Sequence, residues 1–237
     1  MQVYLGFEDA EGQHHLRRAL EVAIAGKHNI LVIGADNLPI HSIEKATLSL
    51  VTMMGDGYYA YKPNKRIRYI SNHIKFVDVP DCKCEVRKNH WQHRCNCDYD
   101  TIDVFNKNHL PMYYKTSDMY LEYGYGEMKS EYTSARNEES TESIIKRIEQ
   151  SRSIQYKRNM GAVLNNNMNE ASIRTHCNLD EVSISLMEHA KRELKLTSIQ
   201  KDSILRVSRT IADLAGDSSI LPSHLAEAIQ YKYKITG

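Results

Sequence analysis

No stretch of this 237-residue sequence approaches the roughly 18 consecutive apolar residues that a membrane helix needs, so no membrane partner is expected. An excess of one charge is lacking too. There are 31 Lys and Arg against 30 Asp and Glu, with a pI of about 7.7 and a mean hydropathy of −0.54. That balance excludes a grossly basic surface, while leaving a local basic patch open. The first residues, "MQVYLGFEDAEGQ", have neither the basic start nor the apolar centre of a signal peptide, and a cytoplasmic location is the expectation. There is no internal repeat. One more absence stands out: Ile30 to Ile33 form an apolar run ending at Gly34, as a buried parallel strand would. A phosphate-binding enzyme would continue with a glycine-rich loop, then Lys and Ser or Thr. Here Ala35, Asp36, Asn37, Leu38 and Pro39 follow instead.

What is present reads as a small α/β part followed by an all-helical part. Residues 11 to 26 predict a helix with Leu16, Leu20, Ala23 and Ile24 on one face and Gly26 as its stop. Residues 42 to 54 predict a second amphipathic helix, capped by Ser42. "GDGYYAYKPNKRIRYISNHIKFVDV" reads as two β-rich runs around a basic turn at Lys62 to Arg66, then a further strand. Helices are expected over about 140–158, 179–194, 199–215 and 222–233, with "NNNMNE" (165–170) breaking the series. The third starts near Thr197 or Ser198 and stops at Gly216; the fourth carries Pro222 in its first turn, where a missing N–H costs little.

Two groups of residues carry chemistry. Cys82, Cys84, Cys95 and Cys97 form two C-x-C pairs with ten residues between them. Four thiolates suit a tetrahedral structural Zn²⁺, with His90 and His93 in the intervening loop as substitutes or outer partners. The alternative is four reduced cysteines, some buried as small apolar residues. Cys177 stands alone and reads as core. Lys62, Lys65, Arg66 and Arg68 crowd a turn beside Tyr58, Tyr59 and Tyr61, a combination that suits phosphate contact and base stacking, and equally a solvated turn.

"GQHHLRRALEVAIAGKHNILVIG" (12–34) and "ILRVSRTIADLAGDSSILPSHLAEAIQYKYK" (204–234) closely resemble the magnesium-chelatase-like AAA+ ATPases, in particular the branch covering the competence-associated branch-migration helicase. "CKC…RCNC" is similar to that branch's cysteine pairs and "SIRTHCNLDE" (172–181) to its lid segment. The resemblance implies a reduced α/β AAA+ core with a basic β-hairpin over 1–133, including the Cys-rich loop 82–97, and an all-α lid domain over 134–237. It also implies a shortened member without the family's N-terminal protease-like domain.

On this resemblance the chain passes from the first core strand straight into the remains of the second acidic motif, so that the phosphate loop is cut out. The family holds ATP with Mg²⁺; here Asp36 stands where the Mg²⁺-ligating carboxylate would be, and Asn37 replaces the Glu that polarises water. In "SDMYLEY", Met119 takes the place of the arginine finger, a charge worth roughly 10³-fold in rate. No catalytic residue is assigned and no ATP hydrolysis is expected. Arg206 and Arg209 lie in the helix that carries the family's phosphate-sensing arginine. They are nucleotide-site remnants together with Asp36, or a solvated helix edge and a turn carboxylate with no ligand. The family's hairpin faces DNA, which makes Lys62, Lys65, Arg66 and Arg68 the candidate DNA contacts. Three functions stay open: an interaction module for full-length AAA+ relatives, DNA or both; an ATP-binding branch-migration helicase subunit; and a truncated relic without a selected role.

Overall fold

The computed structural model describes residues 14–35, 40–56, 67–79, 114–123, 139–161 and 163–232. Within them the chain forms α1 (His14–Gly26), β1 (Ile30–Ala35), α2 (Ile40–Met53), β2 (Ile67–Tyr69), β3 (Ile74–Val79) and β4 (Met119–Tyr123). Five helices follow: α3 (Thr141–Arg158), α4 (Glu170–His176), α5 (Glu181–Glu193), α6 (Ser198–Ala215) and α7 (Pro222–Gln230), with a 3₁₀ turn at Asn165–Asn167. This is the mixed α/β architecture expected, a small sheet and then helices.

The chain divides into two compact units. Met1–Arg17, Leu31–Ser117 and Leu121–Thr141 fall in one; Arg18–Ile30, Asp118–Tyr120 and Glu142–Gly237 fall in the other. The helical unit also takes in most of α1, the turn after it, and three residues ahead of and within β4.

The four strands run in the order β2-β3-β1-β4. β1 is interior, and Leu31, Val32 and Ile33 are all buried, as an unbroken apolar run requires when both sheet faces are covered. β2 and β3 are antiparallel, pairing Ile67 with Val77, Arg68 with Phe76 and Tyr69 with Lys75. Their turn is built by Ser71, whose Oγ accepts the backbone N–H groups of His73 (3.3 Å) and Ile74 (3.2 Å). β2 and β3 thus form a hairpin that turns at residues 70–73, and the basic turn expected at Lys62 to Arg66 lies outside the described residues. α2 starts at Ile40, so Ser42 lies in its first turn and not at its cap. Ala46, Leu50 and Val51 bury its inner face.

In the second unit, local chemistry sets the helix ends. Asn169 and Asp180 cap α4 and α5 by accepting the N–H groups of Ser172 and Ser183. Thr197 and Gln200 form a reciprocal capping box at the start of α6. Gly216 ends α6 in the left-handed conformation, with φ 79°. α1 departs from the one-faced helix expected: Ala19 to Ala25 are all buried, including Glu21, which ion-pairs with Arg18 and Arg147. α6 is the hub of the unit. Ile204, Val207, Ile211 and Ala212 are each at most 1% exposed, and α7 and the 3₁₀ turn pack against this helix.

Candidate functional site

The inner face of α6 also carries polar residues, and they gather the richest chemistry among the described residues. Arg158, from the last turn of α3, holds the Asp213 carboxylate through both Nη atoms, at 2.7 and 2.6 Å. Arg158 also donates to Oδ1 of Asn165 at 2.8 Å. Asn165 passes its amide hydrogens to Asp213 Oδ2 (2.9 Å) and to Thr210 Oγ1 (3.0 Å). The Thr210 hydroxyl donates to the Arg206 carbonyl at 3.1 Å, and Nε2 of His28 lies 2.7 Å from the same oxygen. Gln155 braces both ends, donating to the Ala25 carbonyl and accepting from Asn165 N.

A second cluster lies beside it. Asp118 accepts the backbone N–H and the side-chain amide of Asn29 on Oδ2, at 2.9 and 3.1 Å, and the Ser203 hydroxyl on Oδ1, at 2.7 Å. Burial alone would raise its carboxyl. His28, the bonds from Ser203 and Asn29, and the nearby Lys232 outweigh that and hold it below the usual range. Burial pushes the Lys232 ammonium down to about 8, against the pull of Asp118. His28 is 0% exposed, and burial drives its imidazole down to about 4, with Asp118 opposing and Arg206 and Lys232 adding to the effect.

The residues singled out from sequence fall differently. Arg206 and Arg209 both lie in α6, three residues apart. Arg206 is half-buried and donates to the Met168 carbonyl at 3.1 Å. Arg209 is 2% exposed, with Nε on Asp213 (3.1 Å), Nη1 on the Ser218 carbonyl (2.9 Å) and Nη2 on the Asp217 carbonyl (2.5 Å). The solvated-edge alternative therefore fails for Arg209: its guanidinium closes the α6–α7 connection from within. Arg68 is corrected as well. It sits in β2, not in a solvent-facing turn, and is buried in an ion pair with Glu44. Met119 is 0% exposed in β4.

Asp36, Asn37, Lys62, Lys65, Arg66, Cys82, Cys84, His90, His93, Cys95 and Cys97 lie outside the described residues. Among the described residues, no group of three or more His, Cys, Asp or Glu is placed to hold a metal ion. Cys177 is buried and free, as expected, and burial pushes its thiol up to about 11.

Sequence reasoning did not find His28, Asn165 or Thr210. Asn165 was part of a polar run read as a break, and His28 is one histidine after a helix stop. Only the fold brings them within bonding distance.

Residues 138–232 match the family model of the C-terminal domain of magnesium chelatase subunit ChlI, and residues 6–52 match the model of magnesium chelatase subunit ChlI itself. Among characterised proteins, the chain is 35% identical over 94 residues to competence protein ComM of Haemophilus influenzae. That match takes in 40% of this chain and 18% of the relative. Two separated segments thus point to one family in the family's own order, and the chain belongs to the magnesium-chelatase-like AAA+ proteins as a short, partial member.

Proposed function

We propose that this chain is a non-hydrolysing member of its family that serves as an interaction module, joining a ring of full-length AAA+ relatives through its helical unit. The observation that carries this reading is the join between β1 and α2. The strand ends at Ala35 and the helix begins at Ile40, so four residues, Asp36 to Pro39, make the connection. A phosphate cradle needs successive backbone N–H groups in a glycine-rich loop, a Lys for the β- and γ-phosphates, and a hydroxyl for Mg²⁺. Asp-Asn-Leu-Pro supplies neither glycine nor Lys, and its proline has no N–H to give.

Arg209 supports the same reading from the helical unit. Its Nε and both Nη atoms are engaged with protein oxygens, so turning toward a phosphate would break three hydrogen bonds and expose a buried carboxylate. The helical unit is meanwhile well formed, with matched caps and a filled core, which is what a docking module retains when its chemistry is gone. Weak DNA contact through Lys62, Lys65 and Arg66 belongs to the proposal as a secondary role that a ring would multiply. Arg68 is not part of it, because its charge is taken up by Glu44.

The test is calorimetry of the whole chain with Mg-ATP, paired with co-purification on a tagged full-length family member. No heat of binding up to millimolar nucleotide, together with co-purification, is the expected result. Micromolar nucleotide binding would overturn the non-hydrolysing reading. A monomer that neither joins the relative nor shifts DNA at low salt would remove the interaction role.

A further inference from the structure

The polar chain on α6 has a fixed direction. Asp213 can only accept and Arg158 can only donate, so Asn165, held between them, must present its amide nitrogen to Asp213 and to Thr210. Thr210 has one hydroxyl hydrogen, which goes to the Arg206 carbonyl one turn back. Its oxygen is then left to accept from Asn165 and from His28, which places a hydrogen on Nε2 of His28. The consequence falls on the other ring nitrogen. Nδ1 of His28 is buried with no hydrogen-bond partner among the described residues, an empty acceptor while the ring is neutral and a stranded donor once it is charged.

The ring is tightly enclosed, being 0% exposed. A methyl group at Gly26 would lie 2.2 Å from Nε2, which shows how closely the end of α1 is pressed against the imidazole. Among the described residues, the groups that act on it electrostatically are Asp118 from the segment before β4, Arg206 from α6, and Lys232 beyond α7, one acidic and two basic.

We propose that His28 is an acid-sensitive latch: a proton arriving at Nδ1 finds no acceptor in a sealed, net-positive site, and the turn that carries His28 is expelled from α6. The elements that turn holds leave with it. Asn29 provides the carbonyl for the backbone N–H groups of Asp118 and Met119, at 2.7 and 3.0 Å, and its own N–H is held by Asp118. Tyr120 is in turn bonded to the Tyr231 carbonyl at 2.8 Å. One protonation therefore loosens residues 27–30, 118–120 and 231 together. Burial depresses the imidazole from its ordinary value toward about 4, so the stabilisation is complete above about 6.5 and declines as pH falls from there toward the folded value.

The experiment is hydrogen exchange of the Asn29, Met119 and Tyr120 amides in the whole chain at pH 7 and pH 5, corrected for intrinsic rates. Local opening is expected to rise roughly 20- to 30-fold at pH 5, and His28→Gln, which keeps a donor for Thr210 but does not titrate, is expected to abolish most of that rise. An equal rise in the variant overturns the latch. Should the variant not fold, the His28 ring resonances of the unaltered protein decide: a neutral Nε2–H ring titrating well below 6 upholds the latch, and a ring titrating near 6.5 or carrying its hydrogen on Nδ1 ends it.

Discussion

Arg158 and Arg209 share one carboxylate. Arg158 grips both oxygens of Asp213, and Arg209 reaches Oδ1 from one turn earlier on α6. Two guanidiniums on one buried anion is an arrangement in which the anion matters most, because its removal strands two charges in the interior. Asp213→Ala is therefore expected to lower stability by about 3–5 kcal/mol in a denaturant melt. The double variant Asp213→Ala, Arg158→Met should recover part of that loss, since one fewer charge is left unpaired. A cost below about 1 kcal/mol for Asp213→Ala would mean that water reaches this site and the network is not the keystone of the unit.

A second prediction concerns Gly26, at the end of α1. By helix propensity alone Gly26→Ala should stabilise, by up to about 1 kcal/mol. The added methyl would, however, lie 2.2 Å from Nε2 of His28 and 2.5 Å from Oγ1 of Thr210, both buried and bonded to each other. Overpacking of this kind costs about 1–3 kcal/mol, so the variant is expected to melt earlier than the unaltered protein. Gly216→Ala is the instructive contrast. Among the described residues nothing lies within 4 Å of its added carbon, and its cost, about 1 kcal/mol, arises from the positive φ. A thermally stabilised Gly26→Ala would show that the His28 site is looser than its distances imply.

These two sites show which parts of the molecule the sequence discloses. The limits of α6 were legible because a cap is local chemistry: Thr197, Gln200 and Gly216 act on backbone groups within three or four residues of themselves. The burial of Asn165 was not legible, since its partners Thr210 and Asp213 lie 45 and 48 residues away. Arg68 failed for the same reason. Among Lys62, Lys65 and Arg66 it looks like one more surface cation, and only Glu44, on another element, turns it inward. The all-round burial of α1 likewise depends on which elements surround it, and no periodicity within the helix reports that. The family's lid sequence announced its helices correctly. The role assigned to its arginine by resemblance said nothing of the three protein oxygens that Arg209 engages here.

Cys177 offers a chemical readout of the same interior. It is 5% exposed, and burial raises its thiol to about 11, with Arg209 and Arg158 pulling the other way. A thiol so placed is almost wholly protonated at pH 8, and the thiolate is the nucleophile. In native protein at pH 8, Cys177 is expected to alkylate at least roughly tenfold more slowly than an unfolded-peptide control, read by peptide mass spectrometry. Asp213→Ala should erase that protection by opening the unit. Labelling of native Cys177 at the peptide rate would place it at the surface.

Zinc is a separate question, raised by the two C-x-C pairs. Cys82 with Cys84 and Cys95 with Cys97 offer four thiolates, enough to close a tetrahedral site with no position left for water or substrate. If the four thiolates close such a site, elemental analysis of protein purified without chelator should find one zinc per chain, held in a structural role. Cys82→Ser or Cys97→Ser should each release the metal, because three soft ligands and a hydroxyl bind it far less well. Affinity should also fall as pH drops, since each thiolate must give up its metal to take a proton. Because the metal would act on the segment that holds it, its removal is expected to leave the pH response of the Asn29 and Tyr120 amides unchanged. A metal-free preparation that melts like the zinc-supplemented one would dismiss the site and leave four ordinary thiols.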